Sequence, residues 1–569
     1  MRHDVAPTNS LHPFRALLRG SILVVGACPA DLTAGLGDDA ASVTRLDGGS
    51  ALADDARFDV VLLLDPTRTP WFGAPGPASD RLDASLARAR ALLRPGGRLL
   101  VAIENALSLR HLAGGGEVAA ASDLFSLEGR LRPDGFRLPS RLELRDRLAR
   151  LGLTHQDWWF PFPDPDRPLS LIAERALATP GFDPSVLAAS GPSSDPDLPD
   201  HGAFSLQHAW AGIARAGLMG DLAPGFLVLA SDDALPEDAR LALHFGLRRR
   251  QEFEKVVTFA TEAAGIAITR EPLHPGLTPL VGTVGNGFPD EPFVPGRLWQ
   301  TELEALLACD GWTAGDIADW AQVWCTAVQA RYADGSTLDA TTRLPGTAID
   351  AIPRNLLLHD GQPVFIDCEW DLGAPLEFGH LLLRALLNAF TDVEVCGRPG
   401  PGVETTLLFL VRAVSQALGV LLDDDAITRH LAAEDRFQWA VSGLEQGRTL
   451  NDLAAAHVRM RTLLADRLAE RERAAQHFEA QSAALFAAQA RHAEALANER
   501  RRTDRVVAYA ADMDRKRQDL ADTLDRMQRD EAARLESWRP RTVLRRLLQP
   551  FQALGRRPAE HLEHSPPGE

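Results

Sequence analysis

The chain has 569 residues, a formal net charge of −18, 45% apolar residues and five scattered cysteines. Its length predicts two to four domains. The acidic balance argues against general nucleic-acid binding, and the cysteine spacing argues against a disulfide framework or a zinc module. No run reaches the roughly 18 apolar residues that a membrane span needs. The first residues have no long apolar core either, so we expect a cytoplasmic chain without a signal peptide.

The first 177 residues alternate short apolar runs with a helical segment. Strands are predicted at residues 21–26, 42–46, 58–64 and 98–103, and a helix at residues 80–93. Strands that alternate with helices indicate a doubly wound parallel sheet. The first part of the chain is therefore predicted to be an α/β domain of Rossmann-like type.

Four motifs in this part resemble class I S-adenosylmethionine methyltransferases, especially the methyltransferase domains of polysaccharide-synthesis proteins. They are Leu-Leu-Arg-Pro-Gly-Gly at 92–97, Ala-Ile-Glu-Asn at 102–105, Leu-Pro-Ser-Arg-Leu-Glu-Leu at 138–144 and Phe-Pro-Phe-Pro-Asp at 160–164. The resemblance implies S-adenosylmethionine at Gly26, with Asp47 on the ribose hydroxyls.

Two departures from that family lie close to the implied cofactor site. The glycine-rich loop is replaced by Gly-Ala-Cys-Pro-Ala at 26–30, which puts side chains where the backbone has to approach the ligand. Only about a dozen residues separate Asp47 from Asp59, too few for another helix and strand. We therefore interpret residues 1–177 as a shortened, degenerate methyltransferase-like domain that is more scaffold than catalyst.

Residues 178–200 are rich in Pro, Ser and Asp, a composition that predicts an exposed linker. A kinase-like domain is predicted to follow at residues 201–446. Its first elements are a helix at 204–222, a strand at 225–230, and three antiparallel strands at 241–246, 255–260 and 266–270. Three such strands suit the small lobe of a kinase-like fold.

Cations in this lobe are candidates for binding phosphates. The turn at residues 246–251 carries Arg248, Arg249 and Arg250 where a phosphate-covering loop would lie. Arginines bind phosphates bidentately, although a solvated hairpin tip explains them equally well. A kinase-like lobe also needs a cation from its third strand, and the candidates are Arg270 and, on the neighbouring strand, Lys255.

Asp350, Asn355 and Asp367 form the strongest chemical pattern in the chain. Asp350 and Asn355 lie five residues apart on a predicted loop, and a turn at Asp360-Gly361 leads through an apolar run to Asp367. Phosphoryl transfer uses one Asp for the acceptor hydroxyl, and an Asn and a second Asp for metal ions. The alternative is a β-hairpin with ordinary turn residues. Glu369 is a further candidate for supporting the metal or the acceptor, or a strand-end acid in solvent.

This layout resembles aminoglycoside-phosphotransferase-like and lipopolysaccharide kinases. The resemblance implies ATP and Mg²⁺ as cofactors, Asp350 as catalytic base, and Asn355 and Asp367 as metal ligands. Residues 291–298 resemble the hinge between two lobes, and helices at 299–309, 313–332 and 376–445 would complete the large lobe. An arginine at position 270 and the arginine-rich turn depart from the family pattern.

No glycine or proline occurs between Gly447 and Pro540, and apolar residues recur there at heptad spacing. Residues 447–537 are therefore predicted to form a coiled coil, through which the chain makes a dimer or a trimer. Residues 538–557 interleave arginines with apolar and aromatic residues and contain no acid. A basic amphipathic segment suits an anionic membrane surface, and docking on a partner protein is the alternative. Residues 538–569 are therefore predicted to be a basic amphipathic tail.

The order of these four parts resembles the kinase–methyltransferases that terminate bacterial O-antigen polysaccharides. That resemblance implies ATP- and Mg²⁺-dependent phosphorylation of a terminal sugar on a surface polysaccharide. It also implies a peripheral position on the cytoplasmic face of the inner membrane and a glycosyltransferase as partner. Two alternatives stay open: an inactive scaffold that organises glycosyltransferases, and a residual S-adenosylmethionine-dependent methyltransferase.

Overall fold

The computed structural model describes residues 7–26, 40–46, 52–53, 55–64, 81–115, 124–130, 136–191, 195, 198, 202–277, 284–288, 291–461, 464–504 and 510–537. The chain forms two compact units, Met1–Leu468 and Ala469–Glu569. Within the described residues, no helix has both the length and the apolar character to cross a membrane. The four cysteines in these ranges are free thiols.

The first unit is built on a ten-stranded mixed sheet. Its strands are β1 Gly20–Gly26, β2 Ala40–Leu46, β3 Phe58–Leu64, β4 Leu93–Glu104, β5 His155–Phe162, β6 Ser170–Ala173, β7 Gly225–Ser231, β8 Arg240–Gly246, β9 Lys255–Glu262 and β10 Gly265–Pro272. Across the sheet the order is β2-β1-β3-β4-β7-β5-β6-β8-β9-β10. The first four strands in this order run parallel, and every later neighbouring pair is antiparallel.

The central parallel strands are apolar on both faces because both faces are covered. Leu23 and Val25 point into one hydrophobic core. Ile22 and Val24, which alternate with them, point into a second core that contains Phe14. Strands buried on both sides appear in the sequence as continuous apolar runs, as the runs in β1 and β3 do.

Among the described residues, five α-helices accompany these strands: α1 Arg81–Leu92, α2 Arg141–Arg150, α3 Ser185–Ala189, α4 Leu206–Arg215 and α5 Met219–Leu222. Ser140 and Glu143 form a capping box at the start of α2. The Oγ of Ser140 accepts from the backbone N–H of Glu143, and the Glu143 carboxylate accepts from the N–H of Ser140. The Leu-Pro-Ser-Arg-Leu-Glu-Leu motif therefore contains the signal that begins this helix.

The position of β7 differs from the one expected for it. Residues 225–230 were predicted to be the first strand of the kinase-like domain, but β7 lies between β4 and β5 and pairs with both. The antiparallel strands β8 to β10 then extend the same sheet. All seven residues of β7 are buried, and such a strand has to lie in the interior of a sheet with both faces covered.

The segment predicted as an exposed linker also differs from expectation where it is described. Phe182 and Ala188 are buried against the core of the sheet, and residues 185–189 form α3. The Pro, Ser and Asp residues of this segment are typical of turns, but the apolar residues between them pack against the core of the sheet. The boundaries of the predicted domains stay a prediction.

A helical region completes the first unit. Its elements are β11 Gly285–Asn286, β12 Arg297–Leu298, α6 Trp299–Ala308, α7 Ala314–Tyr332, β13 Arg343–Leu344, β14 Leu356–His359, β15 Gln362–Phe365, β16 Trp370–Asp371, β17 Leu376–Glu377, α8 Phe378–Asp392, α9 Leu407–Ala417, α10 Asp424–Ser442 and α11 Leu450–Ala455. Their apolar faces form one core that runs from Phe253 to Val458. The predicted helices at 299–309 and 313–332 correspond to α6 and α7, whereas the predicted helical run at 376–445 is three helices joined by loops.

The last described elements are α12 Leu464–Asp504 and α13 Ala510–Ser537. Large apolar side chains along them, such as Leu485, Leu520 and Leu524, are exposed in the single chain. The oligomeric coiled coil stays a prediction. The basic segment at 538–569 lies outside the described residues.

Candidate functional site

The loop that carries Asp350 and Asn355 is closed by a β-hairpin. A short 3-10 turn ends at Asp350, a second one ends at Asn355, and β14 and β15 follow. The hairpin turn consists of Asp360 and Gly361, both with positive φ (50° and 77°), as tight hairpin turns require. On its return, the chain bonds back to the loop: the N–H of Ile366 donates to the carbonyl of Asn355 at 2.8 Å.

Asp350 is a buried carboxylate with a raised pKa. It is 4% exposed, and its Oδ2 accepts a hydrogen bond from the backbone N–H of Glu369 at 3.0 Å. Burial raises its pKa to about 6, although the nearby cation of Arg384 lowers it. A carboxylate with a pKa close to neutral pH is suited to accept a proton during a reaction.

Lys255 and Arg270, the two alternative cations predicted for the phosphates, lie on the same face of the antiparallel pair β9 and β10. Lys255 is opposite Pro272, and Arg270 is two residues before Pro272, so their side chains project to the same side. Lys255 Nζ is 2.9 Å and Arg270 Nε also 2.9 Å from Oδ1 of Asp367. The fold therefore brings both candidates to one carboxylate.

Asp367 is held in an unusual backbone conformation. Its φ is +52°, a left-handed value that a residue other than glycine seldom adopts. Its N–H donates to Oε2 of Glu291 at 2.9 Å, and Glu291 also binds Arg270. Burial alone would raise the pKa of Asp367, but Lys255 and Arg270 hold it below the usual range. Strained residues of this kind cluster at functional sites.

Glu369 joins the same cluster and is not a solvent-exposed strand-end acid. Its two carboxylate oxygens bind different cations, Lys255 Nζ at 2.6 Å and Arg249 Nη1 at 2.6 Å. The guanidinium of Arg249 also lies over the ring of Trp370, 5.2 Å from its centroid. Arg249 therefore points into the cluster, and its binding to phosphate stays a prediction.

The other two arginines of that turn point elsewhere. Arg248 is exposed and lies close enough to Asp392 to offset part of the rise that burial causes in the pKa of Asp392. Arg250 stacks on Trp439, with its guanidinium 4.8 Å from the ring centroid, and its N–H donates to the carbonyl of Val441. The turn is thus attached to α10, and Arg248 is not in the cluster.

The predicted metal ligands do not form a ready-made metal site. Among the described residues there is no group of three His, Cys, Asp or Glu side chains that could hold a metal ion. The carboxylate of Asp367 is paired with two cations, and Nδ2 of Asn355 donates to the backbone carbonyl of Asp350 at 2.9 Å. Carboxylate and amide oxygens suit Mg²⁺ chemically, but these side chains are engaged with other partners.

The predicted cofactor site of the first sheet is described only in part. Gly26 ends β1 with φ +106°, at the carboxyl end of a parallel strand. Asp47 and residues 27–39 lie outside the described residues, so their roles stay predictions. β2 is an edge strand of the described sheet.

Two residues at the site were not predicted from the sequence. Glu291 was read as part of a hinge, but it contacts both Arg270 and Asp367. Arg384 donates from Nε to the carbonyl of Ile349 at 3.0 Å and from Nη1 to Glu434. A signal for Arg384 was present: it is a single cation within the otherwise apolar stretch at 381–387, and a buried charge is retained only with a partner.

No protein-family model and no curated protein matches the chain. Among solved structures, a SAM-dependent methyltransferase from Thermotoga maritima, described as a possible histamine N-methyltransferase, is 14% identical. It covers 41% of this chain and 91% of its own, with a TM-score of 0.22. A protein from Galdieria sulphuraria described as a sarcosine dimethylglycine methyltransferase is 13% identical over 40% of this chain and 84% of its own, with a TM-score of 0.20. Scores of this size establish neither a family nor an activity for this chain.

Proposed function

We propose that this protein is a phosphotransferase that moves the terminal phosphoryl group of ATP to a hydroxyl group of an acceptor. The observation that supports this most directly is the meeting of two separate sequence signals. Lys255 and Arg270 come from β9 and β10, and Asp367 comes from a segment about 100 residues further on, yet both cations bind its carboxylate. Asp350 lies next to this cluster, since its carboxylate accepts from the backbone N–H of Glu369. Phosphoryl transfer depends mainly on such positioning and on charge stabilisation.

Each residue in the cluster has a chemical role in this proposal. Lys255 and Arg270 bind the phosphate oxygens of the nucleotide. Asp350 accepts the proton of the acceptor hydroxyl, and the oxygen of that hydroxyl bonds to the terminal phosphorus of ATP. The bond between that phosphorus and the bridging oxygen of ADP breaks, and ADP leaves. Arg384 and the N–H of Glu369 keep the loop and the Asp350 carboxylate in position for this proton transfer.

The acceptor and the cellular setting rest on the family resemblance. We propose a terminal sugar of an O-antigen-like surface polysaccharide as the acceptor, because the chain resembles enzymes that modify such ends. In the same proposal, the predicted coiled coil makes a homo-oligomer and holds the site at a distance from an anionic membrane, which residues 538–557 contact. A glycosyltransferase of the same pathway would be the protein partner.

Nucleotide binding to the full chain tests this proposal. We expect ATP with Mg²⁺ to raise the melting temperature of the wild type, and the magnesium-dependent part of that shift to disappear in Asp367→Asn. Asp238→Asn is the matched control, since Asp238 also binds two cations, Arg240 and Arg175, in the loop before β8. If neither the wild type nor any variant responds to ATP, the interpretation as an inactive scaffold replaces this one.

A second candidate function is residual S-adenosylmethionine-dependent methylation. The feature that favours it is Gly26, a positive-φ glycine at the carboxyl end of β1 between parallel neighbours, where open α/β sheets bind their ligands. Titration calorimetry of the full chain with S-adenosylmethionine tests it. Micromolar binding would support this candidate, and no heat of binding would leave the sheet with a scaffolding role.

A further inference from the structure

Six charged side chains at the proposed site form an unbroken series in which positive and negative groups alternate. The series is Arg249, Glu369, Lys255, Asp367, Arg270 and Glu291. Each contact in it is an ion pair between 2.6 and 3.1 Å long. Three cations meet three carboxylates, so the formal charge of the series is zero.

Half of this series is removed from water. Lys255 is 2% exposed, and the side chains of Glu369 and Arg270 are 2% and 5% exposed. A buried charge that loses its partner is strongly destabilising, because neither water nor another group replaces the lost interaction. An anion that approached these cations would therefore have to displace carboxylates and leave them unpaired.

We propose that Asp367 and Glu369 act as internal anions that occupy the site of a polyphosphate ligand. In this proposal the binding groups for the phosphates are Arg249, Lys255 and Arg270. The ligand competes with the two carboxylates for the same cations, and it binds tightly only when a divalent cation neutralises the carboxylates it displaces. Nucleotide phosphates as the natural ligand follow from the proposed function, whereas the competition itself does not depend on it.

The geometry supports competition between the ligand and the carboxylates more than a purely structural role for these ion pairs. Both oxygens of Glu369 are used, one by Lys255 and one by Arg249, and Oδ1 of Asp367 accepts from both Lys255 and Arg270. Two neighbouring carboxylates thus present a compact row of oxygens to three cations, as a pyrophosphate group does. Asp367 is also kept at positive φ, a conformation that persists only while surrounding contacts hold it.

Thermodynamic linkage makes the proposal measurable. If the carboxylates block the cations, the divalent metal and the polyphosphate must each raise the affinity for the other by the same factor. Removing one carboxylate charge should uncouple them. A variant without that charge should bind polyphosphate without metal, which is a gain of binding that loss of a structural contact would not produce.

The test uses the full chain and inorganic pyrophosphate, measured by titration calorimetry and thermal shift in EDTA and in Mg²⁺. We expect the wild type to bind pyrophosphate at least ~10-fold more tightly with Mg²⁺ than in EDTA. Asp367→Asn and Glu369→Gln should each bind it at least ~10-fold more tightly than the wild type in EDTA. Asp238→Asn, which removes a paired carboxylate elsewhere, should behave as the wild type.

The proposal is overturned if the folded variants bind pyrophosphate in EDTA no more tightly than the wild type. Should both substitutions prevent folding, wild-type affinity that is equal in EDTA and in Mg²⁺ overturns it as well. The outcome for the proposed function is separate. Metal-free pyrophosphate binding by the variants, together with no response of any form to ATP, would support the internal-anion arrangement and exclude the ATP-dependent phosphotransferase.

Discussion

The guanidinium of Arg384 and the carboxylate of Glu434 form a buried ion pair directly behind the Asp350 loop. Nη1 of Arg384 is 2.5 Å from Oε1 of Glu434, and their side chains are 4% and 13% exposed. Arg384 uses Nε for the carbonyl of Ile349, the residue before Asp350. It also stacks on Phe437, 4.6 Å from the ring centroid. This pair links α8 and α10 to the loop that carries the proposed base.

Replacement of Glu434 by Gln should destabilise the first unit strongly. Arg384 would keep its charge in a buried place without its hydrogen-bonded counter-ion, a situation that costs about 3–5 kcal/mol. Urea unfolding followed by circular dichroism measures the loss. Asp238→Asn is the control, because its ion pairs are more exposed and should contribute only about 1 kcal/mol. Equal losses in the two variants would contradict the role assigned to the pair.

The same glutamate predicts a specific sensitivity to acid. Burial alone would raise the pKa of Glu434, but Arg384 and His380 lower it from 4.5 to about 2. The stabilisation is therefore fully present above pH 4.5 and is lost as the pH falls through 2, by about 3 kcal/mol in total. The stability difference between wild type and Glu434→Gln should shrink over that window. A difference that stays constant from pH 6 to pH 2 would refute the assignment.

Glu304 should behave in the opposite way. Burial and the neighbouring carboxyl of Asp392 raise its pKa to about 7, so the protonated form is favoured by folding. The contribution of protonated Glu304 to the stability of the folded state is fully present below pH 4.5 and is lost as the pH rises through 7. Glu304→Gln, which retains an acceptor for Gln207, should be more stable than the wild type at pH 8, by about 3 kcal/mol. At pH 4 the two should be alike.

The matched control for Glu304 lies on the same helix. Glu302 forms an ion pair with the exposed side chain of Arg297, and such pairs contribute little. Melting temperatures of Glu302→Gln and the wild type should therefore differ little between pH 4 and pH 8. If Glu302→Gln shows the same pH-dependent gain in stability, the raised pKa of Glu304 is not the cause of the gain in Glu304→Gln.

Phosphoryl transfer should follow the ionisation of Asp350. Its pKa of about 6 predicts that the rate rises as the pH increases through 6 and levels off above it, since the proposed base must be ionised. Release of ADP from ATP in a coupled assay measures this. Asp350→Asn should still bind nucleotide but lose at least ~100-fold in rate. A variant that turns over at the wild-type rate would remove Asp350 from the mechanism.

Local patterns in the sequence predicted many of the elements. The runs at 21–26 and 58–64 are strands, and Asp360-Gly361 is a hairpin turn. The region predicted as a coiled coil forms long helices at Leu464–Asp504 and Ala510–Ser537, whereas residues 456–461 are not helical. Each of these depends on properties of neighbouring residues: apolar periodicity, turn geometry and the absence of helix breakers. The candidate site residues Lys255, Arg270 and Asp367 were also found in this way, because phosphate chemistry restricts the residue types that serve it.

What the sequence alone could not determine is which strands are neighbours and which charges meet. β7 is as apolar as any strand of the first sheet, so its composition indicates burial but not its place between β4 and β5. Glu291 and Arg384 were missed because their partners lie 76 and 35 residues away along the chain.

Of the features described, the sequence determined the elements and the chemical types available at the Asp350–Asp367 segment. Only the tertiary structure decided that both candidate cations bind Asp367 and that Glu369 joins them. The physical reason is that hydrophobic periodicity is local, whereas ion pairs form wherever the packed core brings charged groups together. That packing is a property of the whole first unit.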